Sequence, residues 1–226
     1  MGCDIHLHVE VRRDGKWTHY ASDDAVDDDP RRVVDEWGGV GLAGASGEID
    51  WELRCDFDVG RNYALFAMLS GVRDYGGGTV PVAEPRGVPD DASPETAADA
   101  AEWDADGHTH SWLTLAELDA YDWCGARTES GLVPFAAYVA HKESGAMPDT
   151  WCQGTNMPVV TTAQADEMLR AGEMPARNTF VEYTWQTKRR DDATHFVESF
   201  LPSLRDVAKK FNVGPEDVRI VFWFDN

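Results

Sequence analysis

Four of the seven histidines of this chain stand in two short clusters, Asp4-Ile5-His6-Leu7-His8 and Asp106-Gly107-His108-Thr109-His110. Imidazole nitrogens beside carboxylate oxygens suit a divalent ion such as Zn, Mn or Fe. In an extended strand alternate side chains share a face, so His6 and His8 point the same way, about 6–7 Å apart along the backbone. Asp4 and Glu10 fall on that face, and Cys3, Ile5, Leu7, Val9 and Val11 fall on the other. One face is built for a core and the other for a partner. The first cluster is read as half of a metal site and the second as the other half. Asp4, His6, His8, His108 and His110 are thus the expected ligands of a mono- or dinuclear centre. The same pattern also describes a solvated strand face, and a closed four-ligand zinc site would be purely structural.

Residues that could handle an anion lie elsewhere. Asp56-Phe57-Asp58-Val59-Gly60-Arg61-Asn62-Tyr63 places two acids, an Arg and an Asn where a strand gives way to a helix, and backbone amides at a helix start attract anions. The stretch Val82-Ala83-Glu84-Pro85-Arg86-Gly87-Val88-Pro89-Asp90 is stiffened by two prolines and suits the display of Glu84 and Arg86. The chemistry expected of the whole set is hydrolysis of a phosphate ester, in which a metal makes a hydroxide nucleophile and polarises the phosphoryl oxygen. Arg61 and Arg86 would hold phosphate oxygens. Asp58 or Glu84 would complete the metal shell or act as general base. Asp225 is kept as a further contributor.

Composition narrows the partners. With 41 acidic and 20 basic residues the net charge is −21, which repels nucleic-acid backbones and argues against nonspecific DNA or RNA binding. A small phosphorylated ligand fits better, because only a local pocket need be positive. Salt adaptation, or an acidic surface that mimics nucleic acid, would produce the same balance. No apolar run is long enough to cross a bilayer, and Met1-Gly2-Cys3-Asp4 leads straight into a strand without a basic leader, so a cytoplasmic protein without membrane association is expected. Cys3, Cys55, Cys124 and Cys152 are widely spaced and are expected to be free thiols, with Cys3 in the core.

The elements that must position these residues can be read from period and punctuation. Asp14-Gly15 signals a hairpin between the first strand and Lys16–Tyr20. Arg61 to Val72 carries a helical apolar stripe, and Ser93-Pro94-Glu95 opens an Ala-rich helix. Thr114 and Glu117 have capping-box spacing, which places the second His cluster in a loop ahead of a helix. Thr161 to Gly172 reads as a helix with a polar start and a Gly stop, and Phe180 to Thr187 as a strand. A helix from about Thr194 to Phe211 meets a break at Pro202. Val218 to Phe224 is almost wholly apolar, the mark of a strand buried on both faces. Between Gly125 and Asn156 only a helix around Phe135 to His141 is legible. The expected fold is α/β or α+β: a mixed sheet with an N-terminal hairpin and a central apolar C-terminal strand, helices packed on it. Residues 1–226 are expected to form one domain with long loops at about 21–48 and 73–112.

Met1-Gly2-Cys3-Asp4-Ile5-His6, Gly60-Arg61-Asn62-Tyr63-Ala64-Leu65-Phe66, Glu84-Pro85-Arg86-Gly87, Asp106 to Thr114 and Val218 to Asn226 together resemble a family of phage and prophage proteins, end to end. That resemblance implies a phage origin and adds a host protein to the candidate partners. A noncatalytic phage protein that sequesters a host ligand or blocks a host protein is therefore the alternative to the hydrolase. Asp4-x-His6 with Gly107-His108-Thr109-His110 is also similar to the first and last motifs of calcineurin-like metallophosphoesterases, although Gly60-Arg61-Asn62-Tyr63 lacks the histidine of their middle motif. Asp4-x-His6-x-His8 is similar to the first strand of amidohydrolase and PHP-type phosphoesterases, whose later ligand motifs are not found here.

Overall fold

The computed structural model describes residues 2–20, 31–34, 40–47, 49–50, 59–103, 105–148 and 150–225. They belong to two compact units, one built from Met1–Arg73, Val80–Cys124 and Arg190–Asn226, the other from Asp74–Thr79 and Gly125–Arg189. Strand β1 (Ile5–Arg13) returns as β2 (Lys16–Tyr20) through Asp14 and Gly15. Both turn residues have positive φ, 50° and 78°, the conformation of the two-residue hairpins that Asp-Gly favours. Next come β3 (Arg32–Val34), β4 (Val40–Ala43) and β5 (Ile49–Asp50), a small antiparallel sheet.

Helix α1 (Tyr63–Ser70) starts where Asn62 Oδ1 accepts a hydrogen bond from the Leu65 amide, and it stops at Gly71 in the left-handed conformation. Helix α2 (Pro94–Glu102) is capped by Ser93. Strand β6 (His108–Thr114) runs directly into α3 (Leu115–Ala120), whose entry is closed by reciprocal hydrogen bonds between Thr114 and Glu117.

The second unit contains β7 (Ala126–Pro134), α4 (Phe135–Ser144), β8 (Val159–Thr161), α5 (Thr162–Ala171) and β9 (Phe180–Lys188). Its sheet has the order β7-β9-β8 and is mixed, β7 antiparallel and β8 parallel to β9. Val133, Phe135, Tyr138, Ala165, Val181 and Trp185 form its core. Buried on β7 beside that core, Arg127 pairs with Glu129. Two charges pointing inward break the apolar alternation, which is why this strand was not legible in the sequence.

The chain then forms α6 (Arg189–Asp192), a π-helical turn at Phe196–Phe200, α7 (Leu201–Phe211) with Pro202 in its first turn, and β10 (Val218–Phe224). The main sheet of the first unit is antiparallel with the order β2-β1-β10-β6, so β10 is interior and all seven of its residues are buried. The hairpin, the central apolar strand and the mixed α+β content expected from the sequence are all observed. On one sheet face, Val9 and Val11 of β1, Ile220, Phe222 and Phe224 of β10 and Leu113 of β6 meet Phe66 and Leu69 of α1 and Leu204 and Val207 of α7. Each fully buried large apolar side chain contributes about 1.5–3 kcal/mol relative to exposure. Cys3 lies in this core, as its place in the strand pattern requires.

The opposite face carries the polar residues of β1, and at its middle these do not meet solvent. Glu10 is fully buried, and its carboxylate accepts from Arg219 Nε (2.7 Å) and from the Ser93 amide (2.7 Å). Arg219 also donates to Asp91 (2.8 Å), and its guanidinium lies 3.9 Å above the Trp17 ring. The segment from Asp91 through α2 is thereby fastened across the sheet.

Candidate functional site

The pairing of β1 with β10 sets His6 opposite Trp223, His8 opposite Val221 and Glu10 opposite Arg219. His6 and His8 share a face as the strand period demands, but their surroundings differ. His8 is buried, its Nε2 2.7 Å from Asp99 Oδ2 on α2 and its Nδ1 3.4 Å from His19 Nδ1. That imidazole is committed to the strap beneath α2. His6 lies nearer the sheet end, one-quarter exposed, with Nε2 3.2 Å from Asp225 Oδ2. Trp103 packs on its ring at 4.0 Å, and Trp223 stacks at 5.9 Å.

Asp4 and Asp225 close the end of the sheet. The Asp4 amide donates to Asp225 Oδ1 (2.8 Å), and the Asp225 amide donates to the Asp4 carbonyl (3.2 Å). Arg61, one residue ahead of the Asn62 cap of α1, grips the Asp4 carboxylate with both Nε (2.6 Å) and Nη2. Those hydrogen bonds hold the Asp4 carboxyl below the usual carboxylate range and raise the guanidinium further above its own. A side chain at Gly2 would collide with this guanidinium, its Cβ falling 2.5 Å from Nη1. The Tyr63 hydroxyl accepts from the Cys3 amide (3.2 Å) and fixes the approach of the chain to Asp4. Asp4, His6, Arg61 and Asp225 thus form a cluster open to water, contributed by three segments far apart in sequence.

The second His cluster is a strand, not the loop read from the sequence. Phe222 pairs with Ser111 and Phe224 with His108, so two residues of β6, Thr109 and His110, oppose Trp223 alone. This bulge sends His108 to the side of Phe224 and leaves His110 stacked on Trp223 at 5.5 Å. Thr109, a β-branched residue, is held at φ 55°, a strained conformation of the sort concentrated at functional sites. His108 Nδ1 is 2.8 Å from Thr109 Oγ1. His108 Nε2, His110 Nε2 and Trp223 Nε1 are buried without a hydrogen-bond partner among the described residues. Burial, and secondarily the neighbouring His108, lower the pKa of His110 and favour the neutral ring that can accept a hydrogen bond or ligate a metal.

Of the other expected site residues, Arg86 is taken up elsewhere: it donates to both Glu117 oxygens (3.1 and 2.5 Å) and lies on the Trp112 ring. It braces α3 against β6. Glu84 is exposed in the loop ahead of it. Asp58 lies outside the described residues. Sequence reasoning passed over Asp99, His19 and Trp103, which fix the histidines; only the polar residues on one side of an Ala-rich helix hinted at the first. Among the described residues, no three His, Cys, Asp or Glu side chains stand close enough together to hold a metal ion as arranged. No helix among them is long and apolar enough to cross a membrane.

The comparisons add no relative: no family profile, no curated protein and no solved structure matches the chain.

Proposed function

We propose that the chain is a hydrolase of a phosphate ester, working with a divalent cation at the open end of the four-stranded sheet. The observation that carries this reading is the convergence of Asp4, His6, Asp225 and Arg61 at that end, with His6 still accessible to water. In this reading the cation would supply a hydroxide nucleophile and polarise the phosphoryl oxygen. Arg61 is the group suited to phosphoryl oxygens, through its planar pair of donors. The cation would draw on Asp4, Asp225 and His6. Since Arg61 holds the Asp4 carboxylate, loading requires that pair to open.

The test is elemental mass spectrometry of the purified chain before and after incubation with Zn, Mn or Fe, followed by turnover of 4-nitrophenyl phosphate and bis(4-nitrophenyl) phosphate. About one or two ions per chain, lost in His6→Ala, with turnover lost in Asp225→Asn, is the expected result. A chain that neither retains nor takes up metal, and turns over neither ester, refutes the reading. A noncatalytic acidic protein that occupies a basic partner is the second reading, and the charge of −21 favours it. It predicts ligand or partner binding without turnover.

A further inference from the structure

The second unit holds a cavity of its own. It measures about 510 Å³, inside the range of about 300–1,000 Å³ typical of small-molecule sites. Phe135 and Val139 of α4, Leu169 of α5 and Met174 line it with apolar surface, and Arg177 and Thr179 bring polar groups to it. We infer that this cavity binds a small amphipathic carboxylate, independently of the hydrolase reading. The unbranched apolar chain of the acid lies on the wall made by α4, Leu169 and Met174, and its anionic head meets Arg177.

The wall is incomplete without an occupant. Met174 is 84% exposed, the most exposed large apolar side chain among the described residues, and Leu169 in the same lining is exposed as well. Apolar surface gathered in a concave site and left to water is the mark of a binding groove. Arg177 supplies a cation that no carboxylate occupies. Its side chain has neither an ion pair nor a hydrogen bond among the described residues, whereas Arg12, Arg61, Arg86, Arg190 and Arg205 each hold an acid. The turn that displays it is fixed. Asn178 takes φ 62°, Thr179 Oγ1 donates to the Ala176 carbonyl (2.7 Å), and the Thr179 carbonyl accepts from the Phe135 amide (3.0 Å). Those bonds tie Arg177 to the entry of α4, where no side chain caps the helix.

Charge selects the kind of occupant. Residues 74–79 and 125–189 contain eight Asp and Glu against six Lys and Arg, so nearly all the acidic excess of the chain belongs to the other unit. An anion therefore meets little opposing charge in the unit that would hold it. A second copy of the chain would bring its whole charge of −21 with it, and that repulsion favours the small ligand.

The experiment titrates the full chain with octanoate by isothermal titration calorimetry, with hexanoate and neutral 1-octanol as comparisons. One octanoate should bind per chain. Each methylene removed should weaken binding by up to about fourfold, the value of a methylene taken out of water. Arg177→Ala should weaken octanoate about three- to tenfold, between the effect of an exposed ion pair and that of a charge-assisted hydrogen bond, and should leave 1-octanol unchanged. Met174→Glu, which removes part of the wall and adds a like charge, should weaken octanoate at least as much. Both positions are exposed, so neither change threatens the fold.

Absence of octanoate binding at millimolar concentration would overturn the inference. Binding that both variants leave unchanged would place the acid elsewhere, and an equal loss of octanoate and 1-octanol in Arg177→Ala would deny Arg177 the head group. A wild type that dimerises, with a dimer that Met174→Glu dissociates and octanoate does not, would assign the cavity to a second copy instead.

Discussion

Replacing Arg219 by Ala should be among the most damaging single changes in the first unit. Glu10 is fully buried and Arg219 nearly so, and each satisfies the other in a contact of 2.7 Å. Asp91, the second carboxylate on Arg219, has a side chain 68% exposed and can turn to water when the guanidinium is gone. Glu10 cannot. Arg219→Ala would leave it with the Ser93 amide alone, and an uncompensated buried charge of this kind destabilises by about 3–5 kcal/mol. Loss of the guanidinium over Trp17 adds roughly 0.5–2 kcal/mol. Glu10→Gln keeps an acceptor for Ser93 and should cost less, roughly 1.5–3 kcal/mol, the value of a hydrogen bond to a charged group. In the double variant no charge is stranded, so its loss should fall well short of the sum. The assay is urea unfolding followed through ¹⁹F-labelled Trp17 and Trp223, which separates this unit from the other, where Trp151 and Trp185 reside. A loss below about 1 kcal/mol in Arg219→Ala, no more than an exposed ion pair contributes, would refute the reasoning. Strict additivity of the two variants would do the same.

Three further outcomes follow from other contacts. A Cβ at Gly76 would overlap the Thr128 carbonyl, 2.6 Å from its carbon, and backbone cannot step aside cheaply; Gly76→Ala should destabilise the second unit by about 1–3 kcal/mol or more, read from the ¹⁹F signal of Trp185 during urea unfolding. Thr114→Ala removes one half of the capping box of α3 and should lower stability by about 0.5–2 kcal/mol, with faster amide exchange at Glu117 as the local signature. Arg61 depresses the Asp4 carboxyl, so the folded chain holds that carboxylate ionised to lower pH than the unfolded chain does. Its stabilising effect is present above the ordinary Asp value of 3.8 and fades as pH falls through the depressed one. Side-chain ¹³C titration by NMR should find Asp4 below 3.8 in the wild type and shifted upward in Arg61→Ala, and an unchanged value would show that the pair does not persist in solution.

Local chemistry made much of this fold legible from the sequence. Asp14-Gly15 needs two positive φ values, and only a tight hairpin uses them in that way. Thr114 with Glu117, Thr161 with Gln164 and Gly172 at the end of α5 marked helix ends because their hydrogen bonds close within three or four residues. The run from Val218 to Phe224 declared a strand covered on both sides. What stayed hidden depends on partners far away. Nothing near Glu10 reveals Arg219, 209 positions later, so a face able to hold ligands could not be told from a face covered by α2. The bulge that parts His108 from His110 exists only because β6 pairs with β10, and the period of an isolated strand puts the two rings together. Arg127 and Glu129 hid β7 for the same reason, since an inward-facing ion pair resembles two surface charges until its burial is known. At the candidate site, Asp4 and His6 were legible from their residue types. Their joining to Asp225 and Arg61 was not, because it follows from register and from the position of α1.

The interior place of β10 also bears on how the chain reaches this structure. It follows every other described strand in the chain and fills the middle of its sheet, between the first-made β1 and β6. A ribosome therefore delivers the central strand after its neighbours, and until Val218–Phe224 emerge, the apolar faces of β1 and β6 have no strand between them. Residues 125–189 are complete earlier and can condense while the rest waits. Pairing across more than two hundred residues is slow, and exposed strand edges invite association with other chains in the interval. Folding of the first unit should thus begin only after synthesis of β10, with the chaperone demand of the nascent protein concentrated in the time before that strand arrives.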